Sequence, residues 1–439
     1  MAAPPLIVQT TYAELLERCA AAALAESFPD EGTFTSKTVK GRRYWYFQAS
    51  ASQGRAQRYV GPESPELLER IGQHRDARHD ERERRALVST LVRSFGLPSP
   101  LPAIGDVIAA LARAGVFRLR GVLVGTMAYQ TYSAMLGFRL PGALLQTSDI
   151  DIAQFSSVSI AVGDRTEQMT SVLKEVDKTF REVPHLSSRQ HFTSYVAQGG
   201  LRVDFLTPNQ GPDTDDAQHL PALNTAAQPL RFLDFLIHDA VEAVLLYGPG
   251  IVVRVPLPER FAVHKLILSE RRPTSSAKSD KDAMQAGALL EALAEKRPHD
   301  LRAAWEEAYE RGPKWRQLLL AGLLNLGAKA RDLTLLALGK TRGFIPELRL
   351  TFEDSPLRYD TTTDAVILMA REQGGPVQCV ISREALDDHF GTDHEGTERR
   401  VAAVRRHRSK FEDLLQRKFL EARIEEPQRV VLKTRDIAG

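Results

Sequence analysis

The stretch Ser148-Asp149-Ile150-Asp151-Ile152 decides the fold. Polar and β-branched residues alternate in it, the period of a half-buried strand. In a strand, residues i and i+2 share a face, so Asp149 and Asp151 project together while Ile150 and Ile152 enter a core. Two carboxylates held that close repel each other, and a divalent cation relieves the repulsion. Mg²⁺ in particular favours one or two carboxylates plus the oxygens of a substrate phosphate.

A third carboxylate follows in Leu201-Arg202-Val203-Asp204-Phe205-Leu206. Leu201, Val203 and Phe205 form the apolar set of a second strand, and Asp204 points away from it. The preceding Gly199-Gly200 is a two-residue hairpin signal between this strand and one over Ser194–Ala197. Three carboxylates on neighbouring strands can hold two metals ~3.5–4 Å apart and clamp both oxygens of an in-line phosphoryl displacement. Upstream, Gly121-Val122-Leu123-Val124-Gly125-Thr126 reads as a strand, a glycine turn and the start of a helix over Met127–Leu136. Glycine lets backbone approach a ligand closely, the free N–H groups of a helix start attract phosphate, and Thr126 adds a hydroxyl.

Gly125-Thr126, a helix, Asp149-x-Asp151 and then Asp204, in that order, resemble the DNA polymerase beta-type nucleotidyltransferase superfamily. More narrowly, the chain is similar to a bacterial family of nucleotidyltransferase-fold proteins of largely undefined substrate. The matching segments are Gly125-Thr126-Met127-Ala128-Tyr129, Thr147-Ser148-Asp149-Ile150-Asp151, Arg202-Val203-Asp204-Phe205-Leu206-Thr207-Pro208 and Phe261-Ala262-Val263-His264-Lys265-Leu266. With Gly41-Arg42-Arg43-Tyr44-Trp45-Tyr46 the resemblance covers about residues 25–300. It implies transfer of a nucleoside monophosphate from an NTP to an acceptor hydroxyl, dependent on Mg²⁺ or Mn²⁺. Asp149 and Asp151 would hold the metals; Asp204 would hold one and help activate the acceptor. Gly125 and Thr126 would cradle the triphosphate, and Lys265 and Lys281 would neutralise it. The acceptor could be RNA, a protein or a small molecule. Many members of the superfamily place the Asp-x-Asp sooner after the Gly-Ser/Thr, whereas here Asp149 stands 23 residues after Thr126. The superfamily also includes inactive relatives, so a degenerate fold serving as a nucleic-acid or protein binding module is the alternative.

The fold class expected is α+β: a nucleotidyltransferase fold with a mixed sheet and flanking helices, then a helical region and a small C-terminal α+β domain. The boundaries drawn are 1–100 for a helix and a basic aromatic hairpin, 101–230 for the catalytic domain, 231–340 for a mostly helical domain and 345–439 for the C-terminal unit. That unit resembles a small bacterial domain of unknown function through Val377–Leu386 and through Arg405-Arg406-His407-Arg408 to Lys418. Within it Ser382 suits a helix N-cap, and Cys379, in an apolar strand, reads as an inert buried thiol.

Composition excludes several classes. Hydrophobic residues make up 43% and charged residues 26% of 439, the balance of a globular protein. A net charge of +2 names no partner, so a nucleic-acid surface must be local. Two cysteines make neither a disulfide framework nor a metal cluster. The start MAAPPLIVQT lacks the pattern of a signal peptide, and no apolar run reaches membrane-spanning length. The expectation is a cytoplasmic protein with no membrane partner. Two basic regions stand out. Between Glu31 and Glu63 lie Lys37, Lys40, Arg42, Arg43, Arg55 and Arg58 and no acidic residue. There Tyr44, Trp45, Tyr46 and Phe47 alternate faces and are read first as filling a small core. The second region runs from Arg399 to Lys410 on a helix whose Val401 and Val404 suit an inward face. His238 and His264 read as packed histidines rather than ligands.

Overall fold

The computed structural model describes residues 6–27, 32–39, 41–49, 57–72, 81–184, 192–209, 211–272, 277–354, 356–372, 375–393, 396–421 and 429–437. Lys40 and Arg55 lie outside them. The chain divides into two compact units, Met1–His264 and Lys265–Gly439.

In the first unit, α1 (Leu6–Ser27) precedes a three-stranded antiparallel sheet of β1 (Gly32–Val39), β2 (Arg42–Ala49) and β3 (Gln57–Pro62). The expected hairpin has thus gained a third strand. After it come α2 (Pro65–Gly72) and α3 (Glu81–Ser89), and α3 runs into a π turn at Thr90–Ser94. Then come α4 (Pro102–Arg113), β4 (Val122–Val124), α5 (Gly125–Leu136), β5 (Asp149–Ala153), α6 (Ser156–Ala161) and α7 (Met169–Val176). β6 (Arg181–Pro184), β7 (Phe192–Val196), β8 (Arg202–Pro208), β9 (Gln218–Leu220) and β10 (Thr225–Leu230) follow, then α8 (Leu233–Ile237) and the hairpin β11 (Ala240–Leu245)–β12 (Ile251–Pro256). The order β4-β5-β8-β10-β9 forms a mixed sheet, with β7 paired to β8 and to β6.

The middle of this sheet is set by alternation. Ile150, Ile152, Val203 and Phe205 are fully buried, while Asp149, Asp151 and Asp204 are half-buried on the other side of the pleat. Glycine closes α5 at both ends, Gly125 at φ +64° and Gly137 at φ +64°, conformations that cost a side-chain-bearing residue its Cβ clearance. Tyr129 of α5 stacks on Phe261, and Tyr132 meets the same ring edge-on and donates its hydroxyl to the Pro256 carbonyl. Two of the segments behind the resemblance, Gly125–Tyr129 and Phe261–Leu266, therefore meet through core packing.

Helix α9 (Pro258–Arg271) leads into the second unit, where α10 (Ala277–Lys296), α11 (Pro298–Glu310), α12 (Pro313–Asn325) and α13 (Ala328–Ala337) pack together. A second sheet follows, ordered β13 (Thr351–Phe352), β15 (Ala365–Glu372), β16 (Gly375–Ser382), β17 (Arg429–Leu432), with β14 (Arg358–Asp360) on β15. Helices α14 (Arg383–Phe390), α15 (Thr397–Arg406), α16 (Arg408–Glu421) and α17 (Thr434–Ile437) cover it. The helical stretch from Thr397 to Glu421 breaks at His407. Ser382 caps α14 by accepting from the Ala385 N–H at 3.3 Å, and Cys379 is fully buried.

A buried ionic network ties α13 to the second sheet. Arg331 of α13 donates to both carboxylate oxygens of Glu372 on β15 and to Asp332. Asp332 also accepts from Arg342 at 2.6 Å, whose guanidinium lies 4.5 Å over the Phe419 ring of α16. All four charged groups are at most 4% exposed. Charges buried that deeply are tolerated only when paired, so the helices and the second sheet share one interior.

Candidate active site

β5 and β8 run parallel, with Asp149 opposite Arg202 and Asp151 directly opposite Asp204. β4 runs antiparallel to β5 and places Val124 opposite Asp151. The next residue, Gly125, passes so close to that carboxylate that a Cβ built on it would lie 2.2 Å from Asp151 Oδ2. The left-handed glycine at the start of α5 thus makes the room into which Asp151 leans. Thr126, the next residue, is 9% exposed.

Asp204 is held on three sides. Arg202, two residues back on the same face of β8, donates from Nε to Oδ1 at 2.8 Å and to Oδ2 at 2.9 Å. Ser194 of β7 sits opposite Asp204 in the antiparallel register and donates its hydroxyl to Oδ1. Arg202 Nη2 closes the triangle with a 2.9 Å bond to the Ser194 hydroxyl. The hydrogen bond to Asp204 lifts the Arg202 guanidinium above its ordinary range, and the charges of Asp204, Asp149 and Asp151 push the same way. A cation is therefore already present among the three carboxylates. Among the described residues, no group of three or more His, Cys, Asp or Glu side chains is arranged to hold a metal ion as it stands.

Lys265 and Lys281 belong to the second unit. Lys265 is 8% exposed and donates to Asp282 Oδ1 at 2.5 Å, while Arg272 reaches the other oxygen of that carboxylate at 3.0 Å. His264 is 5% exposed, a packed residue. Arg202 and Ser194 were not among the candidates drawn from sequence. Arg202 shares a face with Asp204 by strand alternation and was within reach, but a two-residue turn at Gly199-Gly200 would set Tyr195 opposite Asp204. The turn instead spans Gln198–Gly200, with Ala197 bonded to Leu201, and that shift of one residue brings Ser194 opposite.

Residues 103–310 match the model of a family described as Nucleotidyltransferase, and residues 350–432 match that of a family described as Protein of unknown function (DUF1488). The first span contains Gly125, Asp149, Asp151 and Asp204; the basic aromatic sheet at residues 32–62 lies outside it. No curated protein matches the chain. The matches support nucleotidyl transfer as the class of activity, on an α+β nucleotidyltransferase fold with a C-terminal domain of unknown function. Among the described residues, no helix is long and apolar enough to cross a membrane.

Proposed function

We propose that the chain transfers a nucleoside monophosphate from an NTP to an acceptor hydroxyl, with Mg²⁺ or Mn²⁺ held by Asp149, Asp151 and Asp204. The observation that carries this reading is the register: Asp151 and Asp204 face each other on parallel strands, with Asp149 on the same face and Gly125 opening a helix against Asp151. The donor set suits the cation. Three carboxylates offer the hard oxygen ligands that Mg²⁺ and Mn²⁺ take. Arg202 is a stand-in positive charge in the same place, so the site is already built around a cation.

In the reaction, the acceptor oxygen forms a bond to the α-phosphorus and the bond from that phosphorus to the bridging oxygen breaks. Pyrophosphate leaves with the electron pair. Asp204 takes up the hydroxyl proton. Gly125 and Thr126, at the helix start, turn backbone N–H groups to the phosphates. When bound, the divalent cation neutralises triphosphate charge as it shifts toward the leaving group. Lys265 and Lys281 remain in the proposal as cations for the triphosphate on their order along the chain, and Lys265 serves only if it releases Asp282.

Asp204 must also be released by Arg202. That exchange is feasible on magnitude: a partly exposed ion pair contributes up to about 1 kcal/mol, whereas a micromolar ligand contributes about 8 kcal/mol. The Arg202–Asp204–Ser194 triangle favours a second reading, in which the fold is degenerate and Arg202 permanently replaces the metal. Thermal melting with Mg²⁺ and a non-hydrolysable NTP separates the two. The transfer reading predicts stabilisation of the wild type by metal and nucleotide together and none in Asp151→Asn. Equal melting curves for both proteins with and without ligands would support the degenerate module.

A further inference from the structure

The three-stranded sheet at the start of the chain has two unlike faces. On one, Phe47 is 1% exposed and packs edge-on against Phe34 over Leu24, Leu67 and Ile71. Trp45 shares that face by alternation and donates its ring N–H to Glu63 at 3.0 Å. The small core expected for this segment is therefore filled by one face. The other face carries Tyr44, Tyr46 and Tyr59, with ring centroids 6.5 Å apart for Tyr44–Tyr59 and 5.7 Å apart for Tyr46–Tyr59. Tyr44 and Tyr46 are only half-buried, and the exposed Lys37 holds its ammonium 5.1 Å from the Tyr46 ring centre.

Arginines converge on the same face. Arg118 donates to the Tyr59 carbonyl at 2.6 Å and to Asp164 at 2.7 Å. Arg254 of β12 is bound to the Ala240 carbonyl at 2.8 Å, and its Nε is buried with no hydrogen-bond partner among the described residues. Burial, with the nearby charge of Arg120 second, pushes the Arg254 guanidinium down to about 10. Arg120 stands at φ +74°, a left-handed conformation rare for a residue with a Cβ, and its side chain makes no hydrogen bond or ion pair among the described residues. Arg58 adds its charge beside Arg118. Asp164 stands on Arg118 and Glu242 by Arg254, and Glu242 is shared with Arg70 at 2.7 Å. Like charges gathered around a strained arginine that makes no ion pair among the described residues are an arrangement that an incoming anion stabilises.

We propose that this face binds single-stranded nucleic acid, with bases stacked on Tyr44 and Tyr46 and phosphates on Arg58, Arg118, Arg120 and Arg254. Half-buried aromatic rings in a basic surround are what a sequence-tolerant strand binder uses: stacking needs only the π-face every base has, and the backbone needs positive charge. An acidic peptide would use the arginines but not the rings. The surface is separate from the three carboxylates. Arg120 ends the turn before β4, and Val124, four residues on, faces Asp151, so the two sites lie roughly 13 Å apart along that strand. A strand lying on the tyrosines could deliver its end to the carboxylates, but binding here does not depend on transfer.

The test is fluorescence anisotropy of labelled oligo(U) and oligo(dT) of equal length on the full chain, with EDTA and no NTP, so that failure of the transfer reading leaves it untouched. We expect salt-dependent binding of at least one of the two, and their ratio separates an RNA site from a DNA site. Arg120→Gly removes the charge while relaxing the backbone and should lower the salt slope by about one. Tyr46→Ala should weaken binding at least about fivefold, while Tyr46→Phe, which keeps the ring, and Asp149→Asn should bind as the wild type does. Three results would overturn the proposal: neither oligonucleotide binds, heparin or polyglutamate competes as well as the oligonucleotides themselves, or Arg120→Gly binds unchanged in affinity and salt slope.

Discussion

The common face of Asp149, Asp151 and Asp204 was legible because strand alternation is local. Three or four residues on either side suffice to say which way a side chain points. The partners of Asp204 needed one step more, the pairing of β7 with β8, and that step decides what the carboxylate does in the absence of metal. Two substitutions test this account. Arg202→Ala frees Asp204 at a cost to the apo protein of about 1 kcal/mol or less, and the melting shift on adding Mg²⁺ should grow. An unchanged shift would mean that Arg202 does not compete with the cation. Gly125→Ala puts a methyl 2.2 Å from Asp151 Oδ2 at a left-handed backbone position. It should cost about 1–2 kcal/mol of stability and lose transfer, because Asp151 is displaced. Full activity with an unchanged melting temperature would show that the close approach is not needed.

Long elements with clear punctuation were legible at the scale of helix and strand. α14 runs over Arg383–Phe390, starting at the N-cap read from the sequence, because Ser382 caps one end and Gly391, at φ +63°, closes the other. Short elements were not: β6, β9, β10 and α6 to α8 span three to eight residues, too few for periodicity to outweigh chance. β10 owes its place to parallel pairing with β8 around Leu206, a long-range contact with no local signature. The break between α15 and α16 at His407 was also hidden, since charged residues continue through it. α14 and α15 are joined by Asp387, which accepts from Arg400 at 3.0 and 3.1 Å. The hydrogen bond to Arg400, helped by Thr392, holds the Asp387 carboxyl below its ordinary range. A carboxylate depressed in the folded state contributes stability that is full above its ordinary value and is lost as pH falls through the lowered one. Wild type should therefore melt above Arg400→Gln at neutral pH, and the gap should close as the solution is acidified below the ordinary aspartate range. A gap independent of pH would assign the effect of Arg400 to packing.

For the whole molecule, the class of the fold could be read from the sequence. The change of pattern after residue 340 suggested a separate domain, and the family match over 350–432 respects that change. The interior does not, because Arg331, Asp332, Arg342 and Glu372 form one buried network across it. No sequence rule pairs Arg331 with a glutamate 41 positions away. Arg331→Met leaves Glu372 buried without its cation and should destabilise the second unit by about 3–5 kcal/mol, measured by chemical denaturation. A loss under about 1 kcal/mol, the scale of an exposed ion pair, would mean the network is not structural. The central claim is that the three carboxylates of the first unit perform nucleotidyl transfer, and its most direct test is label transfer from each α-labelled NTP to total RNA and to protein, with Mg²⁺ or Mn²⁺. Asn at position 149 keeps the shape of the side chain and a neutral oxygen but removes the charge that holds the metal. The account predicts transfer by the wild type and none by Asp149→Asn at an unchanged or slightly higher apo melting temperature, whereas equal transfer by the two proteins would contradict it.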